Sequence, residues 1–373
     1  MLSPITFKIV PSTVTRLTMS DEEYFGGAVP LHISNSKMGL INPDQGGSPE
    51  KYVNGFGSSD SPALALGSAV HALILEGDMY KLFDKVDKPT AKVGMIFDTL
   101  HKLMVKGKGF DEAIQEAAEI HEYYGGKIAG KRKETMITAG MPYLNYLQKD
   151  KTPYTICLDK AMREKLISCV ASIHNNKLAT ELLAPTKPKD FFSHRESFNE
   201  DVIICDIELD FEDGSTMVLP LKAKIDNWSI DYVNKVLTLN DLKTTGKPVE
   251  TFPGKEEIQT VEIDGNPTEI LTFVKGSFQS YHYYRQMYMY GWMLWQYATE
   301  HLGVDNTWKL AVNMIVVETN KPHKSHVFNV DKRWMKAGKE EMQEILARIA
   351  YHEINGYDIE VEGEKCEMVF EIC

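Results

Sequence analysis

From Val202 to Thr245 the hydrophobic pattern leaves the helical repeat for a period of two, in three successive stretches. In VIICDIELDF the apolar residues Ile203, Cys205, Ile207, Leu209 and Phe211 alternate with Asp206, Glu208 and Asp210, as in a strand with one buried face. Asp213-Gly214 makes a turn, MVLPLKAKID reads as a second strand, and a short polar turn around Asp231 to Lys235 leads into VLTLNDLKTT, a third. Strands joined by such short turns pair antiparallel.

Helices are expected on either side of this block. PALALGSAVHALILEG, from Pro62 to Gly77, is a compact apolar helix with Gly77 placed to stop it. Residues 90–150 carry helical spacing, clearest in FDEAIQEAAEIHEYY from Phe110, and residues 158–184 read as one more helix ended by Pro185. A long aromatic helix is expected from Ser277 to Glu300, then strands in KLAVNMIVVE and SHVFNV, then a closing helix in DKRWMKAGKEEMQEILARIAYHEI. The order helix, three antiparallel strands, helix, strand describes an α+β fold, a mixed sheet flanked by helices. Residues 1–60, rich in Ser, Gly, Pro and Asn, read as loops and short helices packed on a main domain at 61–355, with a helical insertion at about 90–150 and a tail at 356–373.

With 43% hydrophobic residues the chain can bury a sizeable core. Its formal net charge of -12 argues against a uniformly basic surface, although it does not forbid a local patch. Candidate patches are Lys127, Lys131, Arg132 and Lys133, then Lys187 and Lys189, then Lys222 and Lys224. Cys157, Cys169, Cys205, Cys366 and Cys373 form no CxxC pair, so neither a disulfide framework nor a zinc ribbon is signalled. No apolar run approaches the ~20 residues of a membrane span and no signal-peptide core is visible, so no membrane association is expected and the chain should be cytoplasmic.

Asp241 and Lys243, two apart on a strand, leave the same face, and Asp226, read as the end of the preceding strand, is one short connection away. Two neighbouring carboxylates repel unless a cation sits between them, and Mg²⁺ suits a few carboxylates, waters and a phosphate. Lys243 would then lie beside a metal-bound water, the arrangement of metal-assisted phosphodiester hydrolysis. A D-x-K triplet is common in a chain with 53 acids and 41 bases, so it gains meaning only from its surroundings. His71, in an otherwise apolar helix, could be a packed core residue or a nitrogen ligand. Gln286 and Tyr290, at i and i+4 with His282 a turn earlier, form a polar strip on the aromatic helix. Glu196 could add a carboxylate, though a surface acid is the simpler reading. Glu76, five residues after His71, does not share its face.

Together GSAVHALILEG, KAKID, NDLKTT and QMYMY resemble the PD-(D/E)xK nuclease superfamily, specifically its RecE-like and lambda-exonuclease-like phage exonucleases. HISNSKMGLI with SPEKY is similar to that family's N-terminal part, and VVETNKPHKSHVFNVDKRWMKAGKEEMQEIL to its last strands and helix, so the likeness runs over roughly residues 30–355. The resemblance implies a restriction-endonuclease-like core in which His71, Asp226, Asp241 and the Leu242 carbonyl bind Mg²⁺, or Mn²⁺ in its place. Lys243 would assist the water, while Gln286 and Tyr290 hold the site and the DNA strand near it. The expected substrate is linear double-stranded DNA, digested from its ends in the 5′-to-3′ direction during phage recombination. A ring-shaped homo-oligomer, a single-strand annealing partner and a bacterial host cytoplasm are implied too. Some relatives hold an iron–sulfur cluster with one upstream and three downstream cysteines. Only Cys366 and Cys373 follow the core here, so no iron–sulfur cluster is expected. Two other readings stay open: a catalytically silent module of the same fold that binds DNA ends or a phage assembly partner, and an endonuclease.

Overall fold

The computed structural model describes residues 5–26, 29, 32–55, 61–77, 81–123, 129–148, 155–184, 195–263 and 266–357. Lys127, Lys187, Lys189, Cys366, Cys373 and most of the tail expected at 356–373 lie outside them. The chain divides into two compact units, one made of Met1–Leu75 with Ser168–Cys373 and the other of Glu76–Ile167.

In chain order the strands are β1 (Ile5–Ile9), β2 (Thr15–Leu17), β3 (Lys81–Asp84), β4 (Thr155–Leu158), β5 (Arg195–Phe211), β6 (Thr216–Asp231), β7 (Val236–Thr245), β8 (Lys255–Ile263), β9 (Asn266–Val274), β10 (Lys309–Glu318) and β11 (Ser325–Asn329). The helices are α1 (Asp21–Gly26), α2 (Asn35–Gly39), α3 (Pro49–Asn54), α4 (Pro62–Leu75), α5 (Ala91–Val105), α6 (Phe110–Ile120), α7 (Gly130–Leu147), α8 (Lys160–Asn175), α9 (Lys177–Leu183), α10 (Ser277–Ser280), α11 (Tyr283–His301) and α12 (Lys332–Asn355).

The larger unit is built on a seven-stranded sheet in the order β1-β5-β6-β7-β10-β11, with β2 also on β5. β5, β6 and β7 form the antiparallel meander expected from their alternation, β10 joins β7 in parallel after α11, and β11 returns antiparallel. The expected α+β order of helix, three antiparallel strands, helix and strand is therefore present. Residues read as loops at the N-terminus instead supply β1 and β2: ITFKI itself alternates, and the long β5 offers the edge that pairs it. The hairpin β8–β9, between β7 and α11, carries no counterpart in the sequence reading.

Two expected helices are each broken in two. Asn176 separates α8 from α9 because its side chain leaves the helix to accept from Ala179 N and to donate to the Ser325 carbonyl at 3.1 Å. His282 separates α10 from α11 in a left-handed conformation (φ 54°), held by Glu341 at 2.8 Å and by the Tyr284 hydroxyl at 3.0 Å.

Burial explains the layering. Ile203, Cys205, Ile207 and Leu209 of β5 meet Leu219, Leu221, Ala223 and Ile225 of β6 in a core closed by Met287, Met293 and Leu294 of α11 and by Met342, Leu346 and Ile349 of α12. α11 and α12 approach closely at Gly338, where an added Cβ would stand 2.3 Å from the Tyr284 carbonyl. The smaller unit has a core of its own, including Ile96, Phe97, Leu100, Ile114, Ala117, Met136 and Leu144 from α5, α6 and α7.

One polar row crosses the buried sheet. Asn199, Asn227, Asn240, Asn313 and Asn329 are register partners on five adjacent strands. Each amide donates to the preceding one: Asn329 to Asn313 at 3.3 Å, Asn313 to Asn240 at 3.0 Å, and Asn240 to Asn227 and Asn227 to Asn199 both at 2.7 Å. Asn199 finishes the chain on the Leu75 carbonyl of α4 at 2.8 Å. Buried amides cost stability unless bonded, and a head-to-tail chain bonds them while fixing the register of every strand it crosses.

Candidate metal centre

The site begins where two hydrogen-bond ladders fail at one residue. The β6–β7 ladder ends at Asn227–Asn240, and the next step would pair Asp226 with Asp241. Instead Asp226 Oδ2 accepts the backbone N–H of Leu242 at 2.8 Å, so a carboxylate takes the donor that a strand would have used. On the other side of β6 the ladder with β5 skips the step between Asn199–Asn227 and Asp201–Ile225. Glu200 occupies that gap opposite Asp226, in a left-handed conformation with φ of 54°. Such backbone costs about 1–2 kcal/mol for a side-chain-bearing residue and persists where its surroundings hold it. Asp226 thus lies inside β6, not at its end as the sequence reading had it, because Asn227 to Ile230 continue the strand fully buried.

α4 delivers the third group. It packs on β6 and β7, and Gly67 leaves room for the Thr244 side chain of β7, since a Cβ there would sit 3.1 Å from Thr244 Oγ1. One turn on, His71 Nδ1 stands 3.6 Å from Asp226 Oδ2. One ligand atom each from His71, Glu200 and Asp226 lie within 4.8 Å of one another. Burial holds the His71 imidazole below its ordinary pKa, outweighing the pull of Asp226 and a hydrogen bond to the Leu242 backbone. The neutral ring can lend a lone pair. Glu200 is ion-paired with Lys224.

Beside this cluster Asp241 is buried with both oxygens engaged. Oδ2 is 2.6 Å from Lys243 Nζ, and Oδ1 accepts from Gln286 Nε2 at 2.9 Å. Burial lifts the Asp241 carboxyl to about 7; Lys243 opposes that rise and Asp226 adds to it. Burial alone would lower the Lys243 ammonium, but the charges of Asp241 and Asp226 outweigh it and hold the group above its ordinary value. Lys243 Nζ also lies 5.3 Å over the Tyr283 ring. Tyr290 is buried one turn beyond Gln286, and burial drives its phenol well above the usual range.

The structure therefore brings His71, Asp226 and the Leu242 backbone together, and Asp241, Lys243, Gln286 and Tyr290 beside them. His282 is elsewhere, paired with Glu341. Glu196 sits four residues before Glu200 on β5, opposite Ile230. Lys222 forms no groove: its ammonium is buried against the carbonyls of Tyr24 and Val29 at 2.8 and 3.2 Å. Glu200 was missed, although a signal existed. An antiparallel hairpin reflects residues through its turn, and reflecting Asp226 through Asp213 lands on Glu200.

Two carboxylates and a neutral imidazole make an oxygen-rich set with one nitrogen, which fits a divalent cation such as Mg²⁺ or Mn²⁺. No family model and no curated protein matches the chain. Among solved structures, a candidate exonuclease from Eubacterium rectale is similar at 12% identity, covering 91% of this chain and 88% of that one with a TM-score of 0.41. At that distance the site has to be read from its own geometry. Among the described residues no helix is long and apolar enough to cross a membrane.

Proposed function

We propose that the chain is a metal-dependent deoxyribonuclease that hydrolyses phosphodiester bonds from the ends of linear double-stranded DNA. The observation that carries this is the convergence of His71, Glu200 and Asp226 at a gap in the sheet, next to a buried Asp241–Lys243 pair. His71, Glu200 and Asp226 would hold the cation, with Asp241 and the Leu242 carbonyl bordering it. A bound cation supplies an activated water and offsets charge on the phosphate.

The side chains account for the rest. Lys243, kept protonated by Asp241 and Asp226, is a fixed ammonium that offsets developing phosphate charge and orients water; it is not a base. Gln286 fixes Asp241, and Asp241 holds Lys243, so the ammonium is aimed by buried contacts. Digestion in the 5′-to-3′ direction for phage recombination, by a ring-shaped homo-oligomer working with a single-strand annealing partner in the host cytoplasm, is the finer form of this reading.

The test is digestion of end-labelled linear and covalently closed circular duplex DNA, with and without Mg²⁺. Loss of the linear form alone, only with Mg²⁺, is expected. Cutting of circles would make the chain an endonuclease. Salt-sensitive binding with no product would leave a silent DNA-end module.

A further inference from the structure

The row that carries the site continues past β7. In the β7–β10 ladder Asp241 is the partner of Met314 and Lys243 of Val316; in the β10–β11 ladder Met314 is the partner of Phe328 and Val316 of His326. Register partners share a face, so Phe328 and His326 stand on the face of Asp241 and Lys243, two strands and about 10 Å away. Rings bridge the interval. Phe328 stacks on Phe252 with centroids 5.7 Å apart, and Phe252 stacks on Tyr283 at 5.9 Å, the ring beneath Lys243. His326 packs against Phe328 at 4.5 Å.

Phe252 is buried, whereas His326 is exposed and Phe328 half-buried. Both border a cleft of about 760 Å³, together with Asn175, Val249, Glu250 and Lys324. That size lies within the range of about 300–1,000 Å³ typical of small-molecule sites. Its lysine and its acid neutralise each other, Lys324 Nζ being 2.7 Å from Glu250 Oε1. A run of phosphates would find no net positive charge there. A planar, uncharged, hydrogen-bonding group would find the exposed His326 ring and the half-buried Phe328 at the edge of the stack.

We propose that this cleft is a nucleobase subsite. It takes one unpaired base next to the phosphate held at Lys243 and stacks it on Phe328 and His326. The proposal rests on the nuclease reading and adds to it that the strand enters with at least one base unpaired. Base–aromatic stacking is tolerant of sequence, so the subsite would grip any end.

The experiment uses the full chain and a short single-stranded oligonucleotide carrying 2-aminopurine beside its terminal phosphate. Wild type should quench the fluorophore on binding. Phe328→Ala and, separately, the exposed His326→Ala should weaken the quench and raise KM for cleavage about tenfold, with a smaller fall in kcat. Circular dichroism checks that each variant is folded, and His326→Ala keeps the test alive if Phe328→Ala is not. Wild-type cleavage with quench and KM unchanged in His326→Ala and in folded Phe328→Ala would overturn the subsite and leave the nuclease reading standing. A wild type that neither binds nor cuts DNA would overturn both.

Discussion

Asp226 accepts the backbone N–H of Leu242 at 2.8 Å, so the carboxylate itself closes the end of the β6–β7 ladder. Side chain and strand ending are one feature. The group proposed to hold a cation is also the group that keeps β7 from continuing to pair with β6, and its position is set by the sheet.

Removing Glu200 should therefore weaken the cation without disturbing the fold. Glu200→Gln keeps the shape and loses the charge, and Mn²⁺ affinity measured by calorimetry should fall about tenfold or more, as changes around a metal site do. His71→Ala should do the same. Unchanged affinity in both variants would remove the proposed centre.

Lys243→Ala should cut kcat about 10²–10³-fold, the usual consequence of losing one fixed donor to a charged transition state. The variant would also leave Asp241 buried without its cation. Breaking a buried pair costs about 3–5 kcal/mol when the survivor stays charged. Asp241 can take up a proton instead, so urea unfolding should show a smaller loss. Full activity in this variant would sink the role given to the ammonium.

The asparagine row predicts a graded series. Asn240→Leu orphans one acceptor on Asn227 and one donor on Asn313. At about 1–3 kcal/mol for each buried group left unpaired, the loss in urea unfolding should be about 2–6 kcal/mol. Asn329→Ala, at the exposed end, should cost less than about 1 kcal/mol. Equal effects at the two positions would mean the row is incidental.

Acid stability should depend on Glu341. Burial alone would raise its carboxyl pKa, but His282, Arg285 and Tyr284 outweigh burial and hold it below its ordinary 4.5. A depressed carboxylate contributes stability above its unfolded value and loses it as pH falls through the folded one. Wild type should therefore lose stability as pH drops below about 4.5. Glu341→Gln should be about 3 kcal/mol less stable at neutral pH, because Arg285 is left buried without its partner. The same variant should then lose less on acidification. Thermal melts from pH 7 to pH 3 check both halves.

Much of this was legible in the chain. Alternation in VIICDIELDF and its two successors fixes three strands, Asp213-Gly214 fixes the turn, and together they fix the register. Asp226, Asp241, Lys243, Gln286 and Tyr290 could be singled out by spacing and His71 as a lone polar residue in an apolar helix, and Glu200 follows from the same turn. The breaks at Asn176 and His282 could not be read, since the groups that hold them, Ser325 and Glu341, lie 149 and 59 residues away.

The sequence by itself determined the strands, their hairpin register and the candidate polar residues, because those depend on neighbours a few residues apart. Only the tertiary structure decided that His71 stands by Asp226 and Glu200, and that Gln286 takes an oxygen of Asp241. The reason is physical: which atoms satisfy a buried carboxylate depends on helices packed onto the sheet from distant parts of the chain, and no local pattern records that choice.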